Sequence, residues 1–311
     1  GIGSVWAKDC CRRFLRPGGG VAEEQCRLCC RPAQLAEGVD AADIAGHVTA
    51  RAAVETGLAE GTPVICGRGD STAEAVSGGA VEPGSLLFQF GSSLFFYFCI
   101  DRPIRDARVR SSFFTVPDTY CLSGGTNAAG TLTQWIRDEF YPDALAAEGE
   151  GGPNAYEVMA EEAATVAAGS ESLVILPYLY GERSPINDPL AKGMIFGLTG
   201  KHGRRHILRA AYEAIGYSVY QHILMFRSLG LELETMTIAG GGTKNATWMQ
   251  IVSDIIGMPV QVAQRWQTAS YGDAMMAKIG VGALADFKEL KAVIPQSEVV
   301  LPNVQNHRTY Q

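Results

Sequence analysis

Apolar residues recur in this chain with a period of two in some stretches and near four in others, and the two kinds alternate. "TPVIC" (62 to 66) reads as a short buried strand running into glycines, and "STAEAVSGGA" (71 to 80) as a helix opened by N-cap residues, with small side chains on its packing face. "SLLFQF" and "LFFYFCI" read as two strands of a hairpin turning at Gly91-Ser92-Ser93. "YCLSGG" (120 to 125) predicts a strand that feeds a helix over 128 to 140, and a second amphipathic helix runs from Pro153 to about 168. "SLVILPYL" (172 to 179) is a strand, followed by the Pro- and Gly-rich loop "YGERSPINDPLAKG". The longest helix spans 203 to 230: Ile207, Ala211, Ile215, Val219 and Ile223 recur every four residues, and Gly230 is placed to stop it. A strand over 235 to 242, a helix over 245 to 257, a strand over 259 to 264 and a helix over 270 to 282 complete the pattern, and the last 25 or so residues are weakly patterned.

Strands alternating with helices predict an α/β fold around a central sheet. At 311 residues, 47% apolar and 19% charged, the chain has the composition of a packed globular protein. A net charge of −7 and no long basic run speak against a nucleic-acid partner. The most apolar stretch, 85 to 100, is interrupted at Gln89 and Gly91 to Ser93, and neither arm approaches the ~20 residues of a membrane helix. The beginning of the chain carries no signal-peptide pattern, so a cytoplasmic location is the expectation. Five of the eight cysteines fall in residues 1 to 30, a segment with no clean periodicity; Cys26 and Cys29 have zinc-ligand spacing, but reduced thiols are the preferred reading, and the metal assignment stays open.

Three glycine-rich strand-to-helix junctions carry the candidate chemistry: "GRGDST" (67 to 72), "GGTNAAGTLTQW" (124 to 135) and "AGGGTKNATWMQ" (239 to 250). Ligands of open α/β sheets bind at such strand ends, where glycine lets a phosphate approach and the following helix N-terminus offers N–H donors. No G-x-x-x-x-G-K-[ST] pattern occurs, which excludes a P-loop. Spacing alone points to a nucleotide or sugar-phosphate site, with structural turns as the alternative. Asp70 has three readings: a turn residue, a catalytic base, or, within Arg68-Gly69-Asp70, a receptor-binding tripeptide. Lys244 reads as a solvated helix-start residue, Glu182 and Arg183 as structural residues that either pair with each other or order the loop, Asp254 and Asp273 as cap or surface residues, and Phe95 to Phe98 as core and strand edge.

"GTPVICGRGDSTAEAVSGGAVEPGSLLFQFGSS", "LPYLYGERSPINDPLAKGMIFGLT" and "IAGGGTKNATWMQIVSDIIGMPVQV" resemble the second half of the FGGY carbohydrate kinases, and "GMIFGLTGKHGRRHILRAAYE" resembles their C-terminal signature. The resemblance runs from about residue 31 to 285, with its motifs in order. It implies an actin-like, ribonuclease-H-like ATPase fold: largely one complete domain of a two-domain sugar kinase using ATP and Mg2+. Residues 31–82 would be the end of the sugar-binding domain, 83–285 the nucleotide domain and 286–311 a tail. Asp70 then matches the catalytic aspartate, with Gly69 beside it at the substrate; Gly91, Ser92 and Ser93 match the phosphate loop; Gly130, Thr133 and Gln134 line the nucleotide; Gly241, Gly242 and Asn245 flank the α-phosphate and adenine.

The family's opening Gly-x-Asp-x-Gly-Thr strand has no counterpart here, and roughly the first half of a full-length member is unmatched. The expectation is a truncated chain holding the ATP half and the base, with a non-catalytic actin-like scaffold as the alternative. An uncovered domain interface would favour self-association, such as a homodimer. "TASYGDAMMA" leans toward the xylulose- and ribulose-type branches.

Overall fold

The computed structural model describes residues 39–264, 268–294 and 298–311. The cysteine-rich segment 1–30 lies outside the described residues, as does the start of 31–82. A small layer comes first: β1 (Ile44–His47) pairs antiparallel with β2 (Pro63–Ile65) around α1 (Ala50–Thr56), and α2 (Asp70–Ser77) follows. The long hairpin forms as expected, as β3 (Ser85–Phe90) and β4 (Leu94–Ile100). β5 (Arg110–Phe113), β6 (Tyr120–Thr126), α3 (Gly130–Phe140), α4 (Pro142–Gly149) and α5 (Ala155–Ala164) come next. β7 (Val174–Leu176) and β8 (Met194–Phe196) make a separate two-stranded ribbon. α6 (Arg204–Ser228), β9 (Thr235–Ala239), α7 (Ala246–Ile256), β10 (Val260–Val262), α8 (Ala269–Gly280), α9 (Leu290–Val293), β11 (Glu298–Val300) and α10 (Val304–Tyr310) complete the chain.

The central sheet has seven strands in the order β11-β10-β9-β3-β4-β6-β5. β3, β9 and β10 are parallel, and β4, β6 and β5 extend the sheet as antiparallel neighbours. Both faces are covered. On one, Phe88, Phe90, Phe96 and Phe98 pack against α3, α5, α6 and α7 in the main core. On the other, Leu87, Cys99 and Cys121 meet Ala75 and Ala80 of the α2 region. This double covering explains why β3 and β4 read as near-continuous apolar runs rather than clean alternations.

α6 follows its four-residue repeat, and its first turn is closed by His206 Nδ1, which accepts from Gly203 N at 3.0 Å. Gly230 ends it with φ 68°. The helix predicted to start at Ser71 starts at Asp70 instead, with Gly69 as N-cap. The weakly patterned 286–311 stretch supplies β11 and α10, held by Asp254: its carboxylate accepts from Asn303 N (2.7 Å) and Asn306 Nδ2 (2.7 Å). Asp254 is therefore a buried anchor, 1% exposed, rather than a surface residue. A second anchor joins Arg209 Nε and Tyr310 Oη to Glu213 at 2.9 and 2.8 Å.

Two predictions follow from this packing. α2 and α8 touch backbone to backbone: a Cβ at Gly272 would fall 1.9 Å from Ala73 O. Gly272→Ala should therefore cost about 3 kcal/mol in urea unfolding, as overpacking a tight contact does; a cost under ~0.5 kcal/mol, the range of ordinary surface changes, would show that the two helices separate freely. His222, fully buried among Phe88, Phe96 and Phe226, has its imidazole pushed from 6.5 down to about 4 by burial. Its native form is neutral, so its contribution is complete above pH 6.5 and is lost as pH falls toward 4, by about 3 kcal/mol in total. His222→Phe should flatten that part of the stability–pH curve; equal slopes in the two proteins would exclude His222 as the cause.

Candidate functional site

One end of the sheet gathers the glycine turns, because of strand direction. β3 ends there, β4 begins there, and the antiparallel register Leu94↔Thr126 brings the end of β6 alongside. Parallel β9 ends beside β3, with Ala239 opposite Gln89. The turns Gly91–Ser93, 127–131 and 240–245 are therefore neighbours.

The first two are hydrogen-bonded into one unit. Gly130 N donates to Gly91 O at 2.9 Å. Ser92 O accepts from Ala129 N (3.1 Å), Thr131 N (3.0 Å) and Thr131 Oγ1 (3.0 Å). A side chain at Gly130 could not fit, since its Cβ would lie 2.6 Å from Gly91 O. The first amides of α3 are thus committed to the hairpin turn, and the helix N-terminus expected to offer donors to a phosphate is already capped. Gly91 and Ser92 are exposed and Ser93 half-buried.

The third turn closes on the same hairpin. Gly240, at φ 95°, presses against Phe90 O, and a Cβ at Gly242 would meet Phe90 and Trp248. Gly241 has open space beside its Cα, so its backbone is approachable. Asn245 caps α7, its Oδ1 accepting from Trp248 N at 2.9 Å, while Nδ2 donates to Tyr212 Oη at 3.0 Å. Tyr212 in turn stacks on Trp248 with ring centroids 5.1 Å apart. On α3, Gln134 is exposed, whereas Thr133 is buried and donates its hydroxyl to Gly130 O at 2.9 Å. Asn245 and Thr133 therefore shape the turns with side chains that already have partners. Lys244 is exposed.

Asp70 and Gly69 come from the other face of the sheet. Both are exposed at the start of α2, and Asp70 Oδ1 accepts from Ser71 N at 2.7 Å. α2 is tied to the hairpin by two side-chain bonds: Gln89 Nε2 donates to Glu74 Oε2 at 2.7 Å, and Ser71 Oγ lies 3.1 Å from Tyr97 Oη. Burial pushes the Glu74 carboxyl up, and the Asp70 charge one helical turn away adds to it. Gln89 stands two residues before Gly91, about 7 Å along the strand. Arg68 is half-buried and donates to Phe114 O at 3.0 Å, so the first side chain of the Arg-Gly-Asp tripeptide is held against the body of the protein. Asp273 lies half-buried on α8, where burial raises its carboxyl.

Sequence reasoning assigned Glu182 and Arg183 only a structural role, pairing with each other or ordering the loop. They do not form an ion pair. Glu182 accepts from the backbone amides of Arg183 (2.6 Å) and Asn127 (3.3 Å), while the Arg183 guanidinium donates to Leu94 O (3.3 Å) and Thr126 O (2.8 Å). The only sequence signal was a charged pair inside a Pro- and Gly-rich loop. Among the described residues no three acidic, His or Cys side chains converge to hold a metal, and no helix is long and apolar enough to cross a membrane.

A model of the C-terminal domain of the FGGY family of carbohydrate kinases matches residues 86–281. Xylulose kinase from Bacillus subtilis is 29% identical over 98% of this chain and 57% of its own length, and gluconokinase from the same organism is 28% identical over 85% and 52%. The chain spans about half the length of these curated relatives. Among solved structures, xylulose kinase from Rhodospirillum rubrum superposes with a TM-score of 0.80 at 30% identity, covering 90% of this chain and 55% of that one. Glycerol kinase from Plasmodium falciparum, solved with ADP, shares the fold at a TM-score of 0.77 and 18% identity, covering 93% and 57%. The seven-stranded sheet with helices on both faces is the actin-like, ribonuclease-H-like ATPase fold of the solved sugar kinases, and the chain belongs to the FGGY family of carbohydrate kinases.

Proposed function

We propose that the protein is an ATP-dependent kinase of a sugar or polyol, with the nucleotide held at the turns Gly91–Ser93, 127–131 and 240–245 and Asp70 acting as the base. The observation that supports it is the meeting of three glycine turns at one sheet end, on a hairpin to whose other face the helix that opens with the exposed Asp70 is tied. Gly91, Ser92 and Ser93 would face the transferring phosphates, Gly130 and Gln134 the nucleotide flank, and Gly241, Gly242 and Asn245 the α-phosphate and adenine. Asp70, with Gly69, would sit at the acceptor and take the proton of a sugar hydroxyl as it attacks the γ-phosphate. Such transfers owe most of their rate to positioning and charge neutralisation. Mg2+ would arrive on the nucleotide's phosphates, since it is commonly held by one or two carboxylates with the rest of its shell from phosphate and water. In this reading 83–285 is the nucleotide domain, and 31–82 belongs to the acceptor side.

Two measurements test this. Millimolar Mg-ATP or Mg-ADP should raise the melting temperature of the chain by mass action, by RT ln(1 + [L]/Kd) in stability; an unmoved melting curve with both nucleotides would remove the site. Turnover is read by coupled ADP release with xylulose, ribulose, gluconate and glycerol, in the chain fused to the portion of the Bacillus subtilis xylulose kinase outside the match. There Asp70→Asn should keep nucleotide affinity and lose ~10²–10⁴-fold in rate, the usual contribution of a general base. A variant within a few-fold of its parent would take Asp70 out of the chemistry, and nucleotide binding with no acceptor turnover in the parent would favour a scaffold.

A further inference from the structure

Resting on the nucleotide reading above, we propose that Glu182 and Arg183 are positioning residues for the nucleotide turns, acting through the backbone at Leu94, Thr126 and Asn127. The segment 180–184 leaves the surface loop and enters the end of the sheet. Leu190, a few residues on, is 78% exposed, whereas Glu182 is 4% and Ser184 3% exposed. Burying a carboxylate is costly unless its oxygens find donors, and burial does push the Glu182 carboxyl up. It is offset by the amides of Asn127 and Arg183. Nothing in the apolar core requires an acid at this point; the feature it serves is the Asn127 turn.

Arg183 bridges two strands. Its guanidinium bonds the carbonyl of Leu94, the first residue after the Gly91–Ser93 turn, and that of Thr126, the last residue before Asn127. Leu94 and Thr126 are also register partners, so the arginine staples the rung from which both turns spring. Asn127 Nδ2 adds a bond to Tyr180 O at 2.9 Å. Room for the insertion comes from two glycines at the end of β6: a Cβ at Gly124 would lie 2.8 Å from Ser184 Oγ, and one at Gly125 would lie 2.0 Å from Leu94 O. Two to four residues beyond Asn127, Ala129, Gly130 and Thr131 make their bonds to Gly91 and Ser92. The position of the hairpin turn relative to α3 is therefore fixed from outside by one loop, through two carbonyls that share the single Arg183 Nη2.

The experiment is isothermal titration of Mg-ADP into the full chain and into Arg183→Met, Arg183→Lys and Glu182→Gln, with melting temperatures measured alongside. Tyr310→Phe, which trims the distant Glu213 network, serves as the control for plain destabilisation. Expected are a tenfold or greater weakening of Mg-ADP binding in Arg183→Met and Glu182→Gln, a smaller loss in Arg183→Lys, whose one ammonium can serve both carbonyls, and unchanged affinity in Tyr310→Phe at a comparable melting temperature. Amide hydrogen exchange over 91–93 and 127–131 should also quicken in Glu182→Gln, the mildest change and the safeguard should Arg183→Met not fold. Affinity within twofold of the parent in Glu182→Gln or Arg183→Met would overturn the proposal. Failure of the unsubstituted chain to bind Mg-ADP would instead sink the nucleotide reading, and this inference with it.

Discussion

Two carbonyl oxygens, those of Gly91 and Ser92, organise the end of the sheet. Between them they take the amides of Ala129, Gly130 and Thr131 and the hydroxyl of Thr131. A helix start normally needs a side chain or water for its first amides. α3 has no side-chain cap, and the hairpin turn does that work. The consequence is geometric: the turn between β3 and β4 cannot move without α3, and a side chain at Gly130 would not fit between them. Gly240 presses on Phe90 O from the next strand, so the third turn inherits the same reference point. The arrangement also redirects the chemistry. With its first amides spent, the positive end of α3 contributes through its dipole, and direct donors to a bound phosphate must come from the turns themselves.

The parts of this fold legible in the sequence are those whose signal is local. α6 declares itself through a four-residue repeat, the hairpin through two apolar runs about a Gly-Ser-Ser turn, and α7 through its Asn cap and closing Gly257. β1, β5, β8 and β11 are three or four residues long and partly exposed, so they carry too little pattern to separate from loop. α10 reads as tail because its anchor, Asp254, is some fifty residues away in sequence. The order of the glycine turns could be read, and the resemblance gave each a place. That Thr133 and Asn245 would be occupied by Gly130 O, Trp248 N and Tyr212 could not, because those bonds depend on how the turns fold back on themselves.

Charge is distributed unequally across the molecule. Glu213 and Asp254 are buried on the side of α6, α7 and α10 and are satisfied by several donors each, as a buried carboxylate requires. They hold the C-terminal helix and have no free valence for a ligand. Glu182 is buried at the sheet end, with its bonds directed to backbone. Asp70 differs from all three: it is exposed, its carboxylate accepts from the Ser71 amide of its own helix, and it has no cationic partner within ion-pair distance among the described residues. A carboxylate that contributes so little to holding the fold is available to do something else.

What places Asp70 is therefore not its own side chain but the seating of α2. Three contacts fix that helix: Gly272 of α8 lies against the backbone of Ala73, Glu74 takes the Gln89 amide, and Ser71 meets Tyr97. Two of the three land on β3 and β4, the strands whose turn carries Gly91, Ser92 and Ser93. Acid and phosphate turn approach the same sheet end from opposite faces, yet both are referenced to one hairpin. A bend in that hairpin would move them together and preserve their separation, whereas a change at the α2–α8 contact would move the acid alone. The glycine at 272, packed on α2 within a turn of Asp70, thus belongs to the geometry of the proposed site as much as the glycines in the turns.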